Sequence, residues 1–165
     1  MAVRRLARSG LPLGLSAAVV VLVADQFTKW MALTGLEPYQ PLPLLPALNL
    51  TLAFNTGAAF SFLADGGGWQ RWLLSAVAVA VGVYLLFWLR GLDAGKRLEV
   101  VGLGLILGGA VGNLVDRLRL GGVIDFIDVH VGGWHWPAFN VADSAITLGV
   151  VAVLVTAWRD WRRGR

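Results

Sequence analysis

Two aspartates stand where a carboxylate is out of place. Asp125 is the lone acid in Val123-Ile124-Asp125-Phe126-Ile127, among neighbours typical of a buried segment. Asp143 lies in Phe139-Asn140-Val141-Ala142-Asp143, at the mouth of a long apolar run. Acids at the edge of such a run are costly and are functional candidates by default. Two of them converging on one water suit hydrolysis of an amide. One carboxylate takes a proton from the water while the other, protonated, polarises the scissile carbonyl. Like charges close together in a low dielectric do not both ionise, so the pair shares a proton. A plainer reading also exists for Asp143. Asn140 has the type of an N-cap, and an acid three residues later favours the positive end of a helix.

The other chemistry-bearing residues have blander readings. Asp116 sits beside Arg117, with Arg119 close by, in Gly112-Asn113-Leu114-Val115-Asp116-Arg117. An ion pair ending a helix is the preferred reading. Asp25 and Lys29 are one helical turn apart and are expected to pair, with Lys29 also reaching lipid headgroups. Asp128 is expected in solvent. Ser61, Ser75 and Ser144 have no triad-like context. His130 and His135 are the only histidines, and their H-x4-H spacing on an expected loop is a weak zinc signal. The chain has no cysteine, which excludes disulfides and thiolate chemistry.

These residues need elements to hold them. Of the 165 residues, 57% are hydrophobic and 15% charged, against roughly 45–50% and about 25% in soluble domains. Four apolar stretches, about 11–33, 69–89, 99–118 and 142–161, each approach the ~20 residues that a helix needs to cross a bilayer. A spanning segment must satisfy its backbone internally, so helix is the expectation for all four. Ten of the fourteen basic residues lie at the N-terminus, in the second connection and at the C-terminus, with three of the ten acids. The positive-inside rule makes that side cytoplasmic. Lys29, Arg71, Arg117 and Arg119 remain for the outer side, with seven acids. The basic balance thus reports topology, and no nucleic-acid partner is expected. Arg4, Arg5 and Arg8 before an apolar run resemble a secretory signal. The run is long and meets Asp25-Gln26 instead of a small-x-small site, so cleavage is not expected.

The expected architecture is mainly α, one membrane-embedded domain over residues 1–165 with both termini cytoplasmic. The outer loops, 34–68 and 119–141, are expected to form a small sheet. Leu48–Phe54 alternates with a period of two, and Val123–Val131 is rich in β-branched residues before a Gly132-Gly133 turn. Trp69, Trp72, Trp134 and Trp136 are expected at headgroup level. Gly104, Gly108 and Gly112 follow the small-xxx-small spacing of closely packed helices.

Five blocks in order resemble the lipoprotein signal peptidase (signal peptidase II) family. They are Asp25-Gln26-Phe27-Thr28-Lys29, Asn55-Thr56-Gly57-Ala58-Ala59-Phe60-Ser61, Gly108 to Arg117, Val123 to Ile127, and Phe139 to Ser144. The likeness covers nearly the whole chain and shows no departure at a motif position. It implies a membrane aspartyl peptidase that removes the signal peptide of diacylglyceryl-modified prolipoproteins, cutting just before the lipid-bearing cysteine. It also implies four helices, an extracytoplasmic β-cradle, a short amphipathic helix on the membrane, no metal or cofactor, and inhibition by globomycin-type peptides. By motif, the dyad is Asp125 and Asp143; Asp116, in an equally distinctive block, is the alternative partner for Asp143, and the lone-acid, apolar setting of Asp125 decides for it. Asn55, Gly57, Asn113, Arg117 and Asn140 line or brace the site, and Asp25 and Lys29 support it. The loop around Asn55–Ser61 is expected to serve as part of a lid. The enzyme is expected in the bacterial inner membrane, as a monomer, with its site at the outer face.

Overall fold

In the computed structural model, residues 9–57 and 67–164 are described. Four long helices carry the chain: α1 (Leu11–Gly35), α2 (Trp69–Gly91), α3 (Arg97–Leu120) and α4 (Val141–Arg163). All four are long and apolar enough to cross a membrane. A helix covers each expected apolar stretch, a few residues longer at one or both ends. Pro12 stands in the first turn of α1, where its missing N–H is harmless. Gly121, at φ 84°, lets the chain leave α3 sharply.

α3 is the hub. More than half of its span is buried, against less than a quarter in each of the others. Its N-terminal turns pack Val100, Leu103 and Leu107 against Ala18 of α1 and Leu85 and Leu89 of α2. Two glycine faces allow this central position. On one, a Cβ at Gly108 would stand 2.5 Å from the Ala18 carbonyl oxygen, and one at Gly104 would strike that of Gly14. On the other, a Cβ at Gly109 would strike the Ala142 carbonyl, while Gly149 of α4 meets the Gly102 carbonyl. The Gly104–Gly108 spacing therefore seats α1 on α3, and a second glycine face at Gly102 and Gly109 seats α4. The outward faces of α1, α2 and α4 carry exposed Val, Leu, Phe and Trp, as expected where lipid is the solvent.

The two outer loops join in one antiparallel sheet of order β1-β2-β3-β4. β2 (Leu48–Asn55) and β3 (Val123–Val131) are the expected strands. β1 (Leu42–Leu45) and β4 (Trp134–His135) were not anticipated, because Pro41, Pro43 and Pro46 hide β1 and β4 has two residues. Gly132 and Gly133, both at positive φ, turn β3 into β4. Leu52, Ile124 and Phe126 pack with Ala32 near the end of α1, seating the sheet on the bundle. Among the described residues the outer loops contain no helix, so the amphipathic helix implied by the family resemblance is not found there. Residues 58–61 of the expected lid, Ser61 included, lie outside the described residues.

Overpacking a backbone contact is destabilising by about 1–3 kcal/mol. Gly109→Ala should therefore lower the unfolding midpoint of the purified protein in detergent. Gly82→Ala should leave it unchanged or raise it, since the nearest atom to a new Cβ there is 3.6 Å away.

Candidate active site

The site forms where the start of α4, the outer end of α3 and β3 meet. Asn140 caps α4: its Oδ1 accepts from the Asp143 backbone N–H at 2.9 Å, and its own N–H donates to Asp143 Oδ2 at 3.3 Å. The N-cap reading of Asn140 and Asp143 thus holds. The same side chain does more. Its Nδ2 donates to Asp125 Oδ1 at 2.7 Å, and also to Asn113 Oδ1 and the Ile124 carbonyl, each at 3.2 Å. One fully buried asparagine therefore binds both expected catalytic carboxylates.

Both carboxylates face a cavity of about 880 Å³. Asn55, Asn113 and Arg117 also line it, with a wall at Trp136–Phe139 and an apolar side at Ile146 and Leu148. Asn55 Nδ2 donates to Asp125 Oδ2 at 3.2 Å, and its Oδ1 accepts from the Gly57 N–H at 3.0 Å. Asn113 Nδ2 donates to Asp143 Oδ1 at 2.8 Å. Arg117 reaches the carbonyls of Asn113 and Gly57, both at 3.4 Å. Burial, followed by the neighbouring Asp143 charge, pushes the Asp125 carboxyl up to about 7 against the pull of its two asparagine donors.

Asp25, Lys29 and Asp116 lie behind this wall. Lys29 Nζ is buried and bonds Asp25 Oδ2 at 2.9 Å, Asp116 Oδ2 at 2.8 Å and Asn113 Oδ1 at 2.9 Å. The expected pairing with Asp25 is present, but contact with headgroups is not, because all three N–H groups are spent inside the bundle. Asp116 is likewise corrected. Its ion pair is with Lys29, not with Arg117 or Arg119, and it also accepts from the Ile124 N–H at 3.2 Å. Successive helical residues point about 100° apart, so Asp116 faces α1 while Arg117 faces the cavity. Asp25 Oδ1 accepts the Ala142 N–H at 2.9 Å, which ties α1 to the first turn of α4.

Asp128 is also corrected: it is buried, not solvated. Cross-strand Asn49 donates to its Oδ2 at 3.0 Å, Thr51 at 3.4 Å, and His135 Nδ1 stands 2.8 Å from its Oδ1. Burial alone would raise its pKa. The hydrogen bonds from His135 and Asn49 outweigh it and hold the carboxyl below its ordinary value. The β3–β4 turn stacks the His130 and His135 rings at 5.0 Å. Among the described residues no group of three His, Cys, Asp or Glu is placed to hold a metal ion. Ser144 Oγ bonds the Asn140 carbonyl within its own helix, and Ser75 is buried on α2.

Gln26 was missed as a site residue. Its Nε2 contacts Asp116 Oδ1 at 2.9 Å and Asp25 Oδ2 at 3.3 Å, so it bridges the two supporting acids. Its place between Asp25 and an apolar residue in a span was the available signal. Tyr39 and Phe54, which border the cavity, carried none.

The arrangement matches known proteins throughout. The family profile described as Signal peptidase (SPase) II matches residues 17–159. The lipoprotein signal peptidase of Acinetobacter baumannii is 52% identical over 143 residues, covering 87% of this chain and 80% of its own. That of Polynucleobacter necessarius is 46% identical over 149 residues, covering 90% and 89%. Among solved structures, a bacterial membrane enzyme determined by the in meso method at 2.3 Å superposes with a TM-score of 0.83 at 28% identity. That alignment covers 93% of this chain and 92% of the other. The chain belongs to the signal peptidase II family of membrane aspartic endopeptidases.

Proposed function

We propose that Asp125 and Asp143 are the catalytic pair of this multi-pass bacterial membrane peptidase. The observation that carries the reading is a contrast among four acids, Asp25, Asp116 and Asp125 buried and Asp143 half-buried. Asp25 and Asp116 are taken up by Lys29, Gln26 and backbone N–H groups. Asp125 and Asp143 share Asn140 and keep accepting capacity toward the cavity. This favours Asp125 over Asp116 as the partner of Asp143.

The raised pKa of Asp125 supports it as the protonated member. Asp143 takes a proton from a water held between the two. The hydroxyl oxygen adds to the scissile carbonyl, which accepts a hydrogen bond from the Asp125 carboxyl. Collapse breaks the C–N bond, and the proton held by Asp143 passes to the leaving amine. Arg117 and Asn55 hold the Gly57 backbone and Asp125 in register, and Asn113 orients Asp143. The substrate is a diacylglyceryl-modified prolipoprotein cut just before its modified cysteine. The apolar side of the cavity along α4 suits lipid chains that stay in hydrocarbon. The charge asymmetry of the loops supports an extracytoplasmic site with cytoplasmic termini. Globomycin-type peptides compete for the same cavity, and the protein works as a monomer.

Asp125→Asn and Asp143→Asn should each lower turnover of a fluorogenic lipopeptide by about 10²–10⁴-fold while the protein stays folded. Full activity in either purified variant overturns the dyad. Asp116→Asn should instead lower the unfolding midpoint, because Lys29 loses a buried partner.

Turnover should fall as pH rises through about 7, where Asp125 loses the proton it needs as acid. The same shift sets a stability trend. The folded-state pKa lies above the unfolded value, so stability from the protonated form is lost as pH rises toward 7. At pH values above that point Asp125→Asn should therefore melt higher than the parent protein. An alkaline limb unchanged in position when Asp125 is replaced by Glu and Asn in turn would refute the assignment.

A further inference from the structure

The ladder between β2 and β3 fixes where each backbone group points. Ile124 sends its N–H to Asp116 and its carbonyl to Asn140, both away from β2. Its partner across the ladder is Phe54. In an antiparallel pair, residues opposite each other either exchange both bonds or turn both outward. Phe54 therefore turns its N–H and C=O toward the opposite edge of the sheet, the β1 side. The alternation agrees along the strand: Leu50 is opposite Leu42 of β1, and the Leu52 carbonyl accepts the Tyr39 N–H at 2.9 Å. Phe54 is the next outward residue. Among the described residues nothing pairs with it, since β1 ends opposite Leu48–Leu50 and Tyr39, at φ 59°, turns the chain back toward β1.

This open edge borders the catalytic cavity. Tyr39, Ala53, Phe54 and Asn55 line the cavity together with Asp125 and Asp143. Ala53 is opposite Asp125 in the ladder, so the unpaired edge lies one residue from the position that holds the acid. Phe54 is 43% exposed.

A second constraint comes from the substrate. A carboxylate pair reaches a scissile carbonyl only if the peptide is not helical there. An unwound backbone at membrane depth must find hydrogen-bond partners in protein. Strand addition supplies them without reading side chains, which suits an enzyme acting on many sequences. We propose that the cleavage-site segment of the substrate binds in extended form as an added strand on β2, paired to the N–H and C=O of Phe54. The proposal rests on the Asp125–Asp143 reading for where the scissile bond lies.

The test uses the full-length enzyme in detergent and a fluorogenic lipopeptide with a lipid-modified cysteine. Each substrate N–H near the cut, other than the one released by cleavage, is replaced singly by an ester oxygen. Pairing to Phe54 requires one substrate N–H and not those of its neighbours. One position should lose about three- to tenfold in kcat/KM, the span of a single net hydrogen bond, and adjacent positions should not. On the enzyme side, Phe54→Pro removes the outward N–H while leaving the β3 ladder intact. It should fall about three- to tenfold below Phe54→Ala, mainly in KM. Equal losses at neighbouring positions, no loss anywhere, or Phe54→Pro matching Phe54→Ala overturns the added strand. If Phe54→Pro does not fold, the ester series on the parent enzyme decides. Cleavage of the all-amide peptide, abolished by Asp143→Asn, keeps a failure here separate from a failure of the dyad.

Discussion

A buried ammonium with three donors and three acceptors organises this molecule. Lys29 has no acceptor capacity, so every group it touches must present oxygen. Asn113 therefore turns its carbonyl to Lys29 and its amide nitrogen to Asp143. That orientation makes Asp143 an acceptor on that side and leaves its remaining capacity to face the cavity. Asn140 is constrained in the same way: its amide nitrogen meets the Asn113 oxygen and Asp125, and its oxygen caps α4. A single charge on α1 thus sets the polarity of a network that ends on two carboxylates on different elements. A buried ion with good geometry and full hydrogen bonding is tolerated, and an unpaired one is not. The network stays whole only while α1, α3 and β3 keep their places.

Those places depend on how closely the helices approach. Gly112 of α3 lies against Asp25, where a Cβ would stand 2.5 Å from the carboxylate oxygen. Gly109 lies against the carbonyl of Ala142, one residue before Asp143. The absence of a side chain at Gly109 and Gly112 is what lets acids from α1 and α4 come near each other across α3. Asp25 then bonds the Ala142 N–H, so the start of α4 is held from two sides, by its own cap and by α1. In a protein whose helix faces meet lipid, interhelix packing and hydrogen bonds take the role that burial of apolar surface has in water.

The carboxylates divide by how fully they are satisfied. Asp25, Asp116 and Asp128 each meet several donors from side chains or backbone, and they brace the helices and the sheet. Among the described residues Asp125 meets two amide donors and no cation in contact, beside a second acid in a buried setting. The same residue type is a satisfied brace in one place and a carboxyl with a raised pKa in another, and the difference lies in burial and in the number and charge of its donors.

The apolar runs, their loop charges and their lengths were enough to place four spans, because a bilayer demands length and hydrophobicity and little else. The alternation in Leu48–Phe54 and the β-branched run at Val123–Val131 were enough for the two main strands. Asn140 and Asp143 announced a cap through their spacing, and Asp125 announced its burial through its apolar neighbours. Partners far apart in sequence were not legible. Asp116 reads as a companion of Arg117 because they are adjacent, yet it belongs to Lys29, 87 residues away, because helical rotation separates neighbours and packing unites strangers. Asp128 reads as a surface acid until Asn49 and His135 close over it. The outward turn of Phe54 is set by its pairing with Ile124, whose backbone groups are taken by Asp116 and Asn140, which no local pattern encodes. Residue type and spacing determine which elements form and which groups are chemically able. Only the packed helices and the paired strands decide which of those groups meet, because that choice is made by approach distances and hydrogen-bond direction across elements.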